Sequence, residues 1–361
     1  MPTSLAIQSA TAPQFIQEFW PQAKERAPEA LTSDPHKIIL CGCGDSHHAA
    51  YAISYALSEW AGLDAKGLHA MEAARYAIPY SDSDGLLVVG ISASGETARP
   101  IEAIRLANDL GAQTLAITTD SESTLASLAN RTFALNLREQ PEGPGLITYL
   151  AALMAGYSIG AMLAQNKLQE QIDIYMSGMP EALPEWVDGE LAIGRQASQD
   201  SDPAQPIVFL GSGPIRGAAM FAAAKVIEAA GQSASSQDVE EWAHLEYFND
   251  PSQLPIWLLS AGGSALGREL EIEEAATKIG RQLIVSKWSY GPRDLREVLS
   301  PLALWAGPVA YSDSLMVRLG EEPFRGFSGG RDRAEGGGIS RIRSSEQLHS
   351  LKDLSNTKSR D

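Results

Sequence analysis

Three hydroxyl-bearing residues stand close together in the segment 90–97, which reads Gly-Ile-Ser-Ala-Ser-Gly-Glu-Thr. It follows the apolar run 86–89 and precedes a helical pattern at 101–110, so we expect a strand that turns into a helix. Such a turn directs backbone N–H groups and the positive end of a helix dipole toward one point. Further donors are the hydroxyls of Ser92, Ser94 and Thr97. Because capping a helix needs one hydroxyl and not three, the segment predicts a site for phosphate or a similar oxyanion.

A second strand-to-helix turn, residues 42–46, reads Gly-Cys-Gly-Asp-Ser. The third glycine of a dinucleotide-binding turn is missing, since His47 stands at that position, so we expect no nicotinamide. Ser46 would either cap the helix or reach an anion. Loops at the carboxyl ends of neighbouring parallel strands converge on one crevice, which would place Ser46 beside the first turn. Thr148, at the start of a long apolar helix, has the same two interpretations.

Acid–base chemistry is offered by Lys225 and Glu228, which are three residues apart in the otherwise apolar helical segment 218–230 and so share one face. A partly buried carboxylate is tuned for proton exchange and can move a proton between C1 and C2 of an open-chain sugar. A surface Lys–Glu pair would explain the same spacing. Farther along, His244 follows Glu241 by three residues, and a buried structural histidine is the alternative there.

Strand-like and helical patterns alternate along the chain, which is typical of parallel sheets covered by helices on both faces. The rhythm occurs twice, so we expect an α/β fold of two tandem three-layer α/β/α domains, each with a five-stranded parallel sheet. The predicted strands are residues 37–43, 65–69, 86–91, 114–118 and 132–137, then 207–210, 233–236, 256–260, 282–286 and 304–309. The predicted domains are a helical lead at 1–36, domain 1 at 37–190, domain 2 at 200–320 and a Gly/Arg-rich tail at 321–361, with a linker near 185–205.

The formal net charge of −17 argues against nucleic acid as a partner, because such binding needs clustered Lys and Arg. We see no signal peptide and no apolar run long enough for a bilayer, and therefore expect a cytoplasmic protein without membrane contact. Cys41 and Cys43 have no partner cysteines elsewhere, so neither a disulfide nor a zinc site is expected. His47 and His48 are adjacent on a helix and point apart, so we expect no metal.

The turns at 42–46 and 92–97 resemble those of the SIS (sugar isomerase) family, and the resemblance extends over about residues 37–320 as two tandem SIS domains. The chain is similar to the isomerase part of glucosamine-6-phosphate synthase and to related sugar-phosphate isomerases, deaminases and deglycases. The resemblance implies that the sugar phosphate is bound by Ser46, Ser92, Ser94 and Thr97, with backbone help from Ala93. Thr148 remains a further candidate.

The same resemblance assigns roles in the second domain. It implies that Glu228 is the isomerising base, with Lys225 beside it, and that His244 assists sugar-ring opening from the neighbouring subunit of a homodimer. It implies that Glu241 orders the turn. Phe221 stands where the synthase has a further glutamate, and residues 260–265 lack the hydroxyl-rich pattern of the first domain, so a second phosphate site is not expected.

The tail is basic in an acidic chain. A disordered extension is one interpretation, and a segment that brings guanidinium groups to a phosphate or sulfonate is the other. The candidate contacts are Arg325, Arg331, Arg341 and Arg343.

From these patterns we expect a cofactor-free aldose–ketose isomerase, or an amino-sugar deaminase or deglycase, acting on a small anionic sugar, a 6-phosphorylated one by preference. The alternatives are an isomerase of a hexose with another C6 anion, such as a 6-sulfo sugar, and a non-catalytic sugar-phosphate sensor.

Overall fold

A computed structural model describes residues 2–249, 254–325 and 346–358. In these parts of the chain the strands form two parallel sheets. The strands are β1 Lys37–Gly42, β2 Asp64–His69, β3 Leu86–Ile91, β4 Gln113–Thr118, β5 Arg131–Ala134, β6 Ile207–Leu210, β7 Ala234–Gln237, β8 Ile256–Ser260 and β9 Leu283–Lys287. The α-helices are α1 Ser4–Arg26, α2 Asp45–Ala61, α3 Ala70–Glu72, α4 Ala98–Leu110, α5 Thr124–Leu128, α6 Ile147–Leu163, α7 Asn166–Asp200, α8 Ile215–Ala230, α9 Val239–His244, α10 Leu266–Lys278, α11 Arg293–Leu299, α12 Ala306–Leu319 and α13 Leu351–Lys358.

The first sheet has the order β2-β1-β3-β4-β5. Its central strand β3 is buried at every position, as a parallel strand covered on both faces should be. Each of its strands overlaps the segment predicted from the sequence. Five parallel strands in the first domain are therefore confirmed.

The second sheet has the order β7-β6-β8-β9, so it has four strands in the described part of the chain and not the predicted five. The predicted fifth strand, 304–309, is wrong: its last four residues open α12, and Leu304 and Trp305 precede that helix. Leu304, Trp305 and Val309 are fully buried. A run that is apolar on all sides carries no periodicity, so a buried helix and a buried strand have the same pattern.

The predicted linker near 185–205 is also wrong over most of its length, because α7 continues to Asp200. Leu183, Val187, Gly194 and Ala197 are buried at intervals of three, four or seven residues, which is the spacing of one helical face. Among the described residues, no helix has the combination of length and hydrophobicity that a membrane span requires.

The chain divides into two compact units, each built from separate stretches. The unit of the first sheet contains Glu18–Glu139 and Thr148–Glu170, together with the C-terminal stretch Asp332–Asp361. The unit of the second sheet contains Met1–Gln17, Gln140–Ile147 and Gln171–Arg331. The sequence analysis expected contiguous domains instead.

Candidate functional site

The two predicted binding turns leave neighbouring strands of the first sheet. β1 pairs with β3, and Cys41 lies opposite Gly90 near their carboxyl ends. The strand order reverses between β1 and β3, and such a reversal opens a crevice at the carboxyl ends of the two strands. Ser46 and the 92–97 turn are therefore both placed at the position where open parallel sheets bind ligands.

Hydroxyl groups pair across the 92–97 turn. The Ser92 Oγ lies 3.0 Å from the Thr97 Oγ1 and accepts the Gly95 N–H at 3.1 Å. Ser92 is buried, whereas Ser94 is exposed and its Oγ accepts the Glu96 N–H at 3.2 Å. Thr97 is the N-cap residue of α4, yet its side chain makes no capping hydrogen bond. Ordinary capping therefore does not account for the Thr97 hydroxyl.

Contacts with the next connection, the segment that joins β4 to α5, hold the turn in place. The Ala93 carbonyl accepts hydrogen bonds from the hydroxyls of Thr118 at 3.0 Å and Thr119 at 2.7 Å, so an anion would meet Ala93 only through its N–H. The Glu96 carboxylate accepts the N–H of Thr124 at 2.7 Å and its hydroxyl at 2.8 Å. These two hydrogen bonds lower the pKa of Glu96. The turn is thus fixed by groups other than the Ser94 hydroxyl.

Gly95 is the point at which the turn requires glycine. Its φ is +67°, and an added Cβ would lie 2.0 Å from the Ser123 Oγ. Both the backbone conformation and the neighbouring side chain exclude a larger residue.

The capping interpretation fails for Thr148 as well. The Oε1 of Gln8 accepts the N–H groups of Leu146 at 2.7 Å and Ile147 at 3.1 Å, so a residue of α1 caps α6. Ser46 is the second residue of α2 and half-buried, and the N-cap of that helix is Gly44, with φ 55°. The hydroxyls of Ser46 and Thr148 thus lie in the first turns of α2 and α6, where Gly44 and Gln8 respectively occupy the capping positions.

Lys225 and Glu228 form an ion pair on α8, with Lys225 fully buried and Glu228 28% exposed. The Lys225 Nζ also donates to the Gly145 carbonyl at 3.3 Å and lies 4.8 Å from the centroid of the Phe221 ring. The surface-pair interpretation is therefore wrong for Lys225. Phe221, the residue that departs from the family pattern, provides an aromatic face for the buried ammonium.

His244 ends α9, and its side chain is 68% exposed. Its Nε2 lies 2.8 Å from the Oε1 of Glu240, and Arg268 donates to the other oxygen of that carboxylate at 2.6 Å. The buried structural histidine is therefore wrong, and Glu240 orients the ring. The sequence analysis missed Glu240, which is one helical turn before His244.

His47 is buried, and its ring stacks on His69 with centroids 3.6 Å apart. Burial lowers the pKa of His47 to about 3, with smaller contributions from the neighbouring His69 and His48. Within the described ranges, no group of three or more His, Cys, Asp or Glu residues is arranged to hold a metal ion.

The arginine contacts of the tail stay a prediction, because Arg331, Arg341, Arg343 and the side chain of Arg325 lie outside the described residues. The chain after 345 packs on α4, which the sequence did not indicate. The Leu348 N–H donates to the buried Glu102 carboxylate at 3.2 Å, and the Leu351 N–H donates to Asp109 at 2.8 Å.

Comparisons with known proteins match part of the chain to a family and most of it to a fold. The SIS domain family model matches residues 31–162. Glutamine–fructose-6-phosphate aminotransferase (isomerizing) of Corynebacterium glutamicum is 30% identical over 192 residues, a match that spans 52% of this chain and 30% of that protein.

Two solved structures share the fold over most of the chain. The C-terminal domain of glucosamine-fructose-6-phosphate aminotransferase from Francisella tularensis has a TM-score of 0.76 at 17% identity, covering 90% of this chain and 98% of that domain. Glucosamine-6-phosphate deaminase from Thermotoga maritima has a TM-score of 0.70 at 17% identity, covering 89% of this chain and 97% of that protein. At these identities the likeness is one of fold. The chain therefore carries an SIS domain, which spans residues 31–162.

Proposed function

We propose that this protein is a cofactor-free sugar-phosphate isomerase that interconverts an aldose and a ketose bearing a phosphate at C6. The relatives that it resembles are named for reactions of fructose 6-phosphate and glucosamine 6-phosphate. Because the chain spans only 30% of the aminotransferase length, the reaction proposed here is limited to the isomerase chemistry.

In this proposal the phosphate binds at the carboxyl ends of β1 and β3. The ligands are the hydroxyls of Ser46, Ser92, Ser94 and Thr97, the N–H of Ala93 and, at the start of α6, the hydroxyl of Thr148. Hydrogen bonds from these donors to a charged oxygen are shorter and stronger than neutral ones. The contacts of Glu96 and Ala93 with the next connection support this role, since they fix the turn without using the exposed Ser94 hydroxyl.

The proposed base is Glu228. Its carboxylate takes the proton from C2 of the open-chain aldose, and the C–H electrons form the C1–C2 double bond of an enediol as the carbonyl oxygen gains a proton. Return of the proton to C1, with loss of the C2 hydroxyl proton, gives the ketose. The C1 carbonyl acidifies the C2 proton, and the hydroxyl on C2 becomes the ketone oxygen, so the path needs a positioned base and no cofactor.

The burial of Lys225 beside a partly exposed Glu228 is the observation that carries the proposal. An ammonium in an apolar interior costs desolvation free energy, and Glu228 and the Gly145 carbonyl offset part of that cost. A pair that only stabilised the surface would keep both groups in water. Here the lysine pairs with one carboxylate oxygen, and the Glu228 side chain is 28% exposed, so a substrate can reach it from solvent.

His244 has the exposure that a group serving a neighbouring subunit needs, and the proposal assigns it to ring opening in a homodimer. Glu240 accepts one ring N–H and so leaves the opposite nitrogen of the imidazole to exchange a proton with the ring oxygen of the sugar.

Proton NMR in deuterated water tests the proposal. We expect deuterium at C1 or C2 together with aldose–ketose conversion for one member of a panel of hexose 6-phosphates, their 2-amino analogues and a 6-sulfo hexose. Glu228→Gln should retain binding and lose at least 1,000-fold in turnover, about 4 kcal/mol of barrier. Glu274→Gln, which alters an exposed Lys–Glu pair on α10, is the matched control and should keep full activity.

Other outcomes separate the alternatives. Release of amine with the exchange would identify a deaminase, and exchange with the 6-sulfo sugar alone would place a sulfonate in the site. A compound that raises the melting temperature of wild type and of Glu228→Gln, but shows no deuterium exchange with either, would contradict catalysis and support a sensor.

A further inference from the structure

The turn that follows β8 occupies the place in the second sheet that the 92–97 turn occupies in the first. β8 lies between β6 and β9, as β3 lies between β1 and β4. Its residues 261–265 read Ala-Gly-Gly-Ser-Ala. In both sheets a glutamate carboxylate links the turn to the connection after the next strand. The glutamate belongs to the turn in the first sheet and to the connection in the second.

In the first sheet the turn supplies the carboxylate. Glu96 belongs to the turn itself, and it accepts hydrogen bonds from the N–H and hydroxyl of Thr124 in the next connection. The N–H and hydroxyl donors of the first turn are not consumed by this bridge.

In the second sheet the turn supplies the donors. Glu297 of α11 accepts the Ser264 N–H, with both carboxylate oxygens 2.9 Å from the nitrogen. The Ser264 hydroxyl donates to one of these oxygens at 3.1 Å. A Cβ added to Gly263 would lie 2.0 Å from the Glu297 Cδ, so the absence of a side chain there admits the carboxylate. The anionic group that this turn binds is therefore the Glu297 carboxylate of the chain itself.

Two arginine side chains donate to carbonyl groups of the same turn. Arg293 donates to the Gly263 carbonyl at 2.6 Å, and Arg296 donates to the Ala261 carbonyl at 2.7 Å. The buried Glu269 also lies at this edge and accepts the Ser260 hydroxyl at 2.5 Å. Burial raises the pKa of Glu269.

We propose that the turn after β8 is an oxyanion-binding site that the chain fills with the Glu297 carboxylate, and that inorganic phosphate binds there once this carboxylate is removed. This inference concerns the contacts of Glu297 and does not rest on the proposed isomerase activity.

Rescue by phosphate tests the inference. Wild type and Glu297→Ala are melted at pH 7.5 in 50 mM phosphate and in chloride of equal ionic strength. A ligand that binds only the folded state raises Tm, so phosphate should raise the Tm of Glu297→Ala by about 2 °C more than that of wild type. Glu274→Ala, which removes an exposed carboxylate from α10, should respond as wild type does.

A second variant distinguishes the effect of emptying the site from the effect of losing the negative charge of Glu297. In Glu297→Gln the amide oxygen still accepts from Ser264, so the site stays filled and phosphate should act as it does on wild type. Adding Ser264→Ala to Glu297→Ala should remove most of the extra phosphate response. An equal response of Glu297→Ala and wild type would overturn the inference, as would an equal response of the Ala and Gln variants.

Discussion

The hydroxyl oxygens of Ser92 and Thr97 lie 3.0 Å apart, at the two ends of the turn that joins β3 to α4. Thr97 begins the helix without capping it, so its hydroxyl contributes little to the helix itself. Two hydroxyls that satisfy one another in the free protein can both rotate toward an entering oxyanion. The pair is therefore not a helix cap, and in the function proposed here its two hydroxyls donate to the phosphate.

Thr97→Val keeps the shape of the side chain and removes the hydroxyl. We expect KM for a sugar phosphate to rise about 10- to 100-fold, since a hydrogen bond to a charged group contributes about 1.5–3 kcal/mol. The unfolding free energy should change by less than about 1 kcal/mol, because no helix cap is lost. Steady-state kinetics and urea denaturation measure the two quantities. Thr277→Val, whose hydroxyl bonds only the Glu273 carbonyl, is the control; an unchanged KM for Thr97→Val would remove Thr97 from the site.

Gly95→Ala tests the geometry of the same turn. The new Cβ meets the Ser123 Oγ at 2.0 Å with φ at +67°, so both steric overlap and backbone strain arise. We expect a loss of about 2–4 kcal/mol in unfolding free energy, as strain and overpacking add. Gly111→Ala is matched in positive φ but meets nothing within 4 Å, and should lose only about 1 kcal/mol. If urea denaturation gives equal losses of unfolding free energy for Gly95→Ala and Gly111→Ala, the Ser123 side chain moves away from the new Cβ at little cost.

The sequence predicted β1 and β3 of the first sheet closely because both are short apolar runs with a polar boundary. It failed at 304–309, where complete burial removes the periodicity that separates a helix from a strand. It also missed Gln8 and Glu297, because a contact between residues 138 or 33 positions apart leaves no local pattern. It also missed the contact between Glu240 and His244, since Glu240 and Glu241 are equivalent in composition and differ only in helical phase.

Gln8 is a cap supplied from a distant helix. It is 1% exposed, and its Oε1 accepts two N–H groups at the start of α6. Gln8→Ala leaves both buried donors without this acceptor, so we expect a loss of about 2–4 kcal/mol in unfolding free energy by urea denaturation. Gln22→Ala, an exposed glutamine on the same helix, should cost less than about 0.5 kcal/mol. A similar small cost for Gln8→Ala would mean that water replaces the side chain.

The segment after 345 should contribute to the stability of the first-sheet unit. Leu348 and Leu351 pack against its apolar core. Each Leu→Ala change should cost about 1–2 kcal/mol, below the 2–5 kcal/mol of a fully buried leucine, because both are half-buried. Lys352→Ala, on the exposed face of α13, is the control. Melting temperatures unaffected by the double Leu348→Ala, Leu351→Ala variant would show that the segment is not docked in solution.

Glu190 makes the stability of the second-sheet unit depend on pH. It is 5% exposed, and burial raises the pKa of its carboxyl above the ordinary 4.5, although the hydrogen bond from Ser286 opposes that shift. A carboxyl whose pKa is higher in the folded state binds its proton more tightly there, so its contribution to stability is complete below pH 4.5 and is lost as pH rises through the raised pKa. Glu190→Gln cannot ionise, so its Tm relative to wild type should increase between pH 5 and pH 8. Glu185→Gln, an exposed position on the same helix, should show no such trend in scanning calorimetry. A constant Tm difference for Glu190→Gln across this range would mean that the folded protein holds the charged carboxylate at no cost.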